Sequence, residues 1–131
     1  MGAQRARAVV LDAGALIAFE RGDRRMVLLL ETIRRGDERL IVPAGVLAQV
    51  WRDGARQARL AALVADHRTE VDPLDESAAK ATGVLCGISR TRDIVDASVA
   101  VSARFAEDAV VVSGDVDDLR RIDPGLVLHA L

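Results

Sequence analysis

The chain has 131 residues, half of them hydrophobic and 29% charged, with a formal net charge of −2. That balance excludes a mainly disordered chain and a uniformly basic nucleic-acid binder, so any nucleic-acid contact has to come from a local patch. The length supports one proper core but not two ordinary domains, and residues 1–131 are expected to form a single domain.

At the start, Arg5-Ala-Arg followed by the apolar stretch Ala8 to Phe19 has the outline of a signal peptide, but Asp12 interrupts it and Glu20-Arg-Gly-Asp closes it without a cleavage site. No run approaches the roughly 18 apolar residues that a membrane helix needs. The expectation is a cytoplasmic protein with no membrane contact. Ala8-Val-Val-Leu reads as a strand ending at Asp12, and Ala15-Leu-Ile-Ala-Phe-Glu suits a helical turn. Asp23 to Arg35 places Met26, Val27, Leu29, Leu30 and Ile33 on one side of a helix that Gly36 stops. Leu40-Ile-Val is a second strand. Pro43 fits the first turn of a helix through Val46, Leu47, Val50 and Trp51, which Asp53-Gly54 breaks before another helix from Ala55 to Asp66.

Glu70-Val-Asp-Pro-Leu is a short strand candidate, and Asp75 suits the cap of an alanine-rich helix running to about Ile88. The lone cysteine, Cys86, sits among apolar residues of that helix and reads as a small core filler; with one cysteine no intrachain disulfide can form. Ser89-Arg-Thr-Arg is a loop. A helix from about Asp93 to Phe105, the strand Ala109-Val-Val-Val-Ser, a short helix from Asp115 to Ile122 and a last strand Leu126-Val-Leu complete the chain. Strands that are continuous apolar runs, alternating with helices, indicate a three-layer α/β/α sandwich around a mainly parallel sheet. Ligands of such folds gather at the carboxyl ends of the strands.

Two strands end in aspartate there. Asp12 follows the first and Asp115 follows Val110-Val-Val-Ser-Gly, while Asp93 and Asp96, three residues apart near a helix start, share a face. Four carboxylates packed together repel one another and take up protons unless a cation neutralises them, and all-oxygen ligands suit Mg²⁺ or Mn²⁺. Taken singly, Asp12 also reads as the cap of the following helix, Asp93 or Asp96 as a cap, and Asp115, Asp117 and Asp118 together as a solvated helix start. Capping does not explain Asp96, which lies inside the apolar run Ile94-Val-Asp-Ala-Ser-Val-Ala-Val, where a carboxylate is costly without a partner.

Four stretches together resemble the PIN-domain family, including the VapC-type toxins of bacterial toxin-antitoxin pairs. They are Val9-Val-Leu-Asp-Ala-Gly-Ala-Leu-Ile-Ala, Val42-Pro-Ala-Gly-Val-Leu-Ala-Gln-Val-Trp-Arg, Asp93-Ile-Val-Asp-Ala-Ser-Val-Ala and Val111-Val-Ser-Gly-Asp-Val-Asp-Asp-Leu. The resemblance implies a metal-dependent RNA hydrolase with Asp12, Asp96 and Asp115 at the family's acidic positions, Asp93 as an additional acid, and Ser113 as a hydroxyl that positions water or a ligand. It also implies a homodimer and a VapB-type antitoxin whose basic segment blocks the acidic pocket. Gln49 stands where the family usually has glutamate; it accepts a hydrogen bond but brings no charge. That departure keeps open a catalytically impaired module that binds RNA or protein.

Elsewhere the signals are weaker. Lys80 is the only lysine among the cations; guanidinium groups suit bidentate phosphate contacts, although codon bias gives the same composition. Arg92, beside Asp93, is the leading candidate for an RNA phosphate contact; Arg52, Arg56, Arg59 and Arg90 fit either that role or a solvated face. Trp51 reads as a core or dimer anchor, and the apolar segments Ala15 to Phe19 and Met26 to Ile33 serve equally as a dimer surface or as core. His67 and His129 support no hydrolase triad, and no dinucleotide or P-loop motif is present. A receiver-like signalling domain fits poorly, because Asp12 has no acidic neighbour and Lys80 is mid-chain. A haloacid-dehalogenase-like phosphatase needs an aspartate where Gly14 stands.

Overall fold

The structure, a computed structural model, describes residues 7–107 and 109–131. Arg5, the first cation of the signal-like segment, lies outside the described residues. The chain order is β1 (Ala8–Leu11), α1 (Ala13–Glu20), α2 (Arg24–Arg35), β2 (Arg39–Pro43), α3 (Ala44–Val50), α4 (Ala58–Ala65), β3 (Thr69–Asp72), α5 (Glu76–Ser89), α6 (Ile94–Phe105), β4 (Val110–Ser113), α7 (Val116–Ile122) and β5 (Val127–Ala130). The five strands form one sheet in the order β3-β2-β1-β4-β5, and every pairing is parallel. The expected α/β architecture is therefore present.

Parallel strands need crossover connections, and right-handed crossovers put helices on both faces of the sheet. Helix α1 packs with α2, α3 and α4, whereas α6 packs with α5 and α7 and against β1, β2 and β4. The central strands are buried on both sides as a result: β1 is buried throughout, and so is β2 after Arg39. The edge strands β3 and β5 are only partly covered. Val10, Leu11, Leu16, Leu30, Val42, Leu60, Leu63 and Val111 fill the core, each contributing roughly 1.5–3 kcal/mol on burial.

Several boundaries differ from the sequence reading for local reasons. Helix α4 starts at Ala58 rather than Ala55, because residues 53–57 are held as a turn. The buried Gln57 side chain accepts from the Arg52 and Asp53 N–H groups at 2.8 and 2.9 Å and donates to the Val50 carbonyl at 2.9 Å. Strand β3 stops before Pro73, which has no N–H to offer a ladder. Trp51 is not in the core: it is 37% exposed and its ring lies over Gly54, where a Cβ would come within 2.8 Å of it. Cys86 is half-buried rather than fully enclosed.

The two segments considered for a dimer surface are mostly turned inward, with Leu28 exposed at 51%. Ala15, Leu16, Met26, Leu30 and Ile33 are all buried. Apolar groups that face solvent include Val84 and Ile88 on α5, Ile94 and Phe105 at the two ends of α6, and Val127 on β5, with Ile88 the most exposed at 76%. Among the described residues no helix is long and apolar enough to cross a membrane.

Candidate active site

The strand order fixes where a site belongs. From β1 the chain runs outward through β2 and β3, then returns to the other side of β1 as β4. The carboxyl ends of β1 and β4 therefore flank the topological switch point, where the diverging crossovers leave a crevice. Leu11 is in register with Val112, and the Asp12 N–H donates to the Val112 carbonyl at 3.2 Å, so the two strands leave the sheet side by side.

Asp12 follows β1 directly and is 5% exposed. It caps α1, with Oδ1 accepting from the Ala15 N–H at 2.9 Å and from the Gly114 N–H at 3.4 Å. The fully buried Ser113 hydroxyl donates to Asp12 Oδ2 and accepts from the Asp115 N–H at 2.7 Å. Both capacities of that hydroxyl are thus used to tie the loop after β4 to the carboxylate after β1.

The remaining acids come from two helix starts built alike. Asp93 caps α6 by accepting from the Asp96 N–H at 2.9 Å, and Asp115 caps α7 by accepting from the Asp118 N–H at 3.3 Å. In each case the second aspartate, one turn into the helix, turns back to its cap, so Asp96 shares a side-chain hydrogen bond with Asp93, and Asp118 with Asp115. Carboxyl groups bond in that way when a proton lies between them. Burial pushes the Asp96 pKa up from 3.8 to about 7, reinforced by Asp93 and by the charges of Asp12 and Asp118. The exposed Asp118 is also raised, first by its hydrogen bond to Asp115 and then by the Asp115 charge.

The structure thus brings Asp93, Asp12 and Asp118 within electrostatic reach of Asp96, and links Asp115 to them through Asp118 and through the Ser113 hydroxyl that bonds Asp12. The capping roles are real for Asp12, Asp93 and Asp115, and Asp96 is the half-buried acid that capping leaves unexplained. Asp118 escaped the sequence reading because it merged with Asp115 and Asp117 as a solvated helix start. Its signal was the three-residue spacing from Asp115, the same spacing that joined Asp96 to Asp93. Gln49 is exposed in a cleft of about 500 Å³ whose lining includes Ile17, Glu20, Arg21 and Gln57 and none of the five aspartates. Arg92 is exposed next to Asp93. Arg52 folds onto the carbonyls of Ala48 and Trp51, and Arg56 pairs with Asp53 at 3.7 Å.

Five carboxylates would make an all-oxygen donor set, which suits a hard divalent cation. The raised pKa of Asp96 follows first from burial and then from the neighbouring acids. Among the described residues no three His, Cys, Asp or Glu side chains surround a common point as a ready-made metal site. A cavity of about 640 Å³ lies at the opposite edge of the sheet, lined by Arg7, Arg39, Glu70, Asp72, Phe105 and Val127 among others, and contains none of these acids.

The family model of the PIN domain matches residues 9–124. No curated protein matches the chain. The fold is similar to VapBC2 from Rickettsia felis, solved bound to a DNA fragment from its promoter, with TM-score 0.72 and 18% identity over 95% of this chain and 98% of that one. It is also similar to DNA-bound VapBC from Salmonella typhimurium, with TM-score 0.66 and 20% identity over 95% and 98% of the two chains. FitAcB from Neisseria gonorrhoeae matches with TM-score 0.61 and 16% identity over 92% and 95%. At such identities the likeness is one of fold.

Proposed function

The chain belongs to the PIN-domain family, a family of nucleases, and from that premise we propose that it is a Mg²⁺- or Mn²⁺-dependent endoribonuclease acting as the toxin of a toxin-antitoxin pair. The observation that carries this reading is the gathering of Asp12, Asp93, Asp96 and Asp115 at the switch point, with Asp96 raised to about 7 by burial and acidic neighbours. Residues 1–131 are read as one domain working in the cytoplasm.

In this reading Asp12, Asp96, Asp93 and Asp115 would hold the cation. A bound cation supplies Lewis-acid polarisation of the phosphodiester and a water acidified for attack. The chain's own contributions are orientation and charge. Ser113 fixes the Asp12 carboxylate and the loop of Asp115 in one geometry. Asp96, raised to about 7, would hold a proton in the empty site below that pH and would be a ligand in its ionised form. Arg92, exposed beside Asp93, is placed to hold an RNA phosphate outside the acidic centre.

The partner reading is supported by fold neighbours solved as VapBC complexes. A VapB-type antitoxin with a basic segment would complement the acid cluster. The exposed Val84, Ile88 and Ile94 supply an apolar surface for a homodimer. Gln49 favours a second reading, an impaired PIN-like module that binds RNA or protein, because a neutral amide stands where the family usually has an acid.

Cleavage of cellular RNA by the purified chain, with Mg²⁺, Mn²⁺ or chelator, separates the two. The nuclease reading expects metal-dependent cutting that Asp12→Asn abolishes. Cutting that survives in that variant would refute the site, and RNA binding without cutting would favour the impaired module.

A further inference from the structure

Two glycines, far apart in sequence, meet beside the acids. A Cβ on Gly14 would lie 3.1 Å from the Gly114 Cα and 3.2 Å from the Gly114 N, and one on Gly114 would lie 3.4 Å from the Gly14 Cα. The atoms in the way belong to backbone, so no side-chain rotation relieves the first contact. Gly14 sits in the first turn of α1, where glycine costs up to about 1 kcal/mol relative to alanine. Conformation does not demand it: among the described glycines only Gly22 has a positive φ. What Gly14 provides is space for the neighbouring loop.

That space sits between the first and last acids. A Cβ at position 14 would also lie 3.5 Å from Asp12 Oδ1, the atom that accepts the 3.4 Å bond from the Gly114 N–H. Residues on either side of Gly114 carry the rest of the link, since Ser113 bonds Asp12 and receives the Asp115 N–H. Any wedge between the two glycines moves the loop of Ser113 and Asp115 away from Asp12.

Resting on the reading of these acids as a cation site, we infer that the Gly14–Gly114 backbone contact is a spacer that fixes the separation of Asp12 and Asp115 and thereby favours Mg²⁺ over larger divalent ions. Mg²⁺ demands near-octahedral oxygens at about 2.0–2.1 Å, whereas Ca²⁺ accepts six to eight at about 2.3–2.6 Å in looser geometry. Moving the loops apart by a few tenths of an ångström penalises the smaller ion first. Gly14 acts in this way as a positioning residue, without touching the cation.

The test is calorimetric titration of the full chain with Mg²⁺ alone and with Ca²⁺ alone, for the wild type, Gly14→Ala and Gly114→Ala, with folding checked by circular dichroism. Gly14→Ala should lower Mg²⁺ affinity about tenfold, the usual scale for disturbing the support of a metal site, and Ca²⁺ affinity no more than about twofold. Gly114→Ala, whose Cβ meets only ordinary contact, should leave the ratio within about twofold. A folded Gly14→Ala protein with an unchanged ratio, or with both ions weakened equally, overturns the spacer. Should Gly14→Ala fail to fold, Gly114→Val presses the same contact from the other loop and must shift the ratio; if it does not, the spacer is refuted. A wild type that binds neither ion overturns the cation-site reading itself, an outcome distinct from an unchanged ratio.

Discussion

Replacing Asp96 with asparagine separates a residue kept for a ligand from one kept for the fold. In the metal-free protein, burial and the Asp93 charge raise its pKa from 3.8 to about 7. At about 1.4 kcal/mol per tenfold in proton affinity, a fully shielded carboxyl would lose roughly 4 kcal/mol of folded stability on ionising. Asp96 is only half-buried, and solvent screening reduces that to about 1 kcal/mol. The sign follows from proton binding: between 3.8 and about 7 the folded chain holds more protons at this position than the unfolded chain. Stability from this group is therefore full below the lower value and is lost as pH rises through the upper one. Asp96→Asn removes the loss. Thermal melts in chelator should show the variant little changed at pH 5 but more stable than the wild type at pH 8, by about 3–5 °C. Added Mg²⁺ should reverse the order, raising the wild type alone. A variant less stable than the wild type at pH 8 in chelator would refute the reasoning, because Asp96 would then be contributing to the fold.

Ser113→Ala deletes a buried hydroxyl bonded to a carboxylate and an N–H, and urea unfolding should register a loss of about 2 kcal/mol. A change below about 0.5 kcal/mol would mean that the link between the two loops is idle. Gln49→Glu adds a charge in an exposed cleft whose lining holds none of the five aspartates, so calorimetry should find Mg²⁺ affinity within about fivefold of wild type, the limit for an exposed charge pair; a larger gain would place this side chain in the metal site. Ile88→Glu puts a charge on the most exposed apolar group of α5. If that face joins two copies, sedimentation should show the variant as a monomer where the wild type dimerises, and an unchanged dimer would exclude the face.

The parts of the fold legible in the sequence are those buried on both sides. Val9 to Leu11, Leu40 to Val42 and Val110 to Val112 are continuous apolar runs because helices cover both faces of the sheet there. Edges and helix starts were less legible, since their limits depend on single partners. Strand β5 begins at Val127, one residue late, because the Leu126 N–H is taken by the Asp123 carbonyl. Helix α4 begins late because of Gln57, a side chain whose role as a turn clasp has no compositional signature. At the site, Asp12 and Asp115 were visible as acids that end apolar runs, and Asp93 and Asp96 as a spaced pair. Asp118 was available from the same spacing but hidden among adjacent aspartates. The Gly14–Gly114 contact was not readable, because it exists only once β4 lies beside β1.

The central claim is that these acids form a cation site whose crowding is relieved by metal, and proton release on binding tests it most directly. Mg²⁺ titrations in two buffers of different ionisation enthalpy give the number of protons expelled per ion. With Asp96 poised at about 7, the account predicts release of most of one proton at pH 6.5, falling towards none at pH 8.5, and no such release by Asp96→Asn. Failure to bind Mg²⁺, or binding with no proton released at either pH, would contradict it.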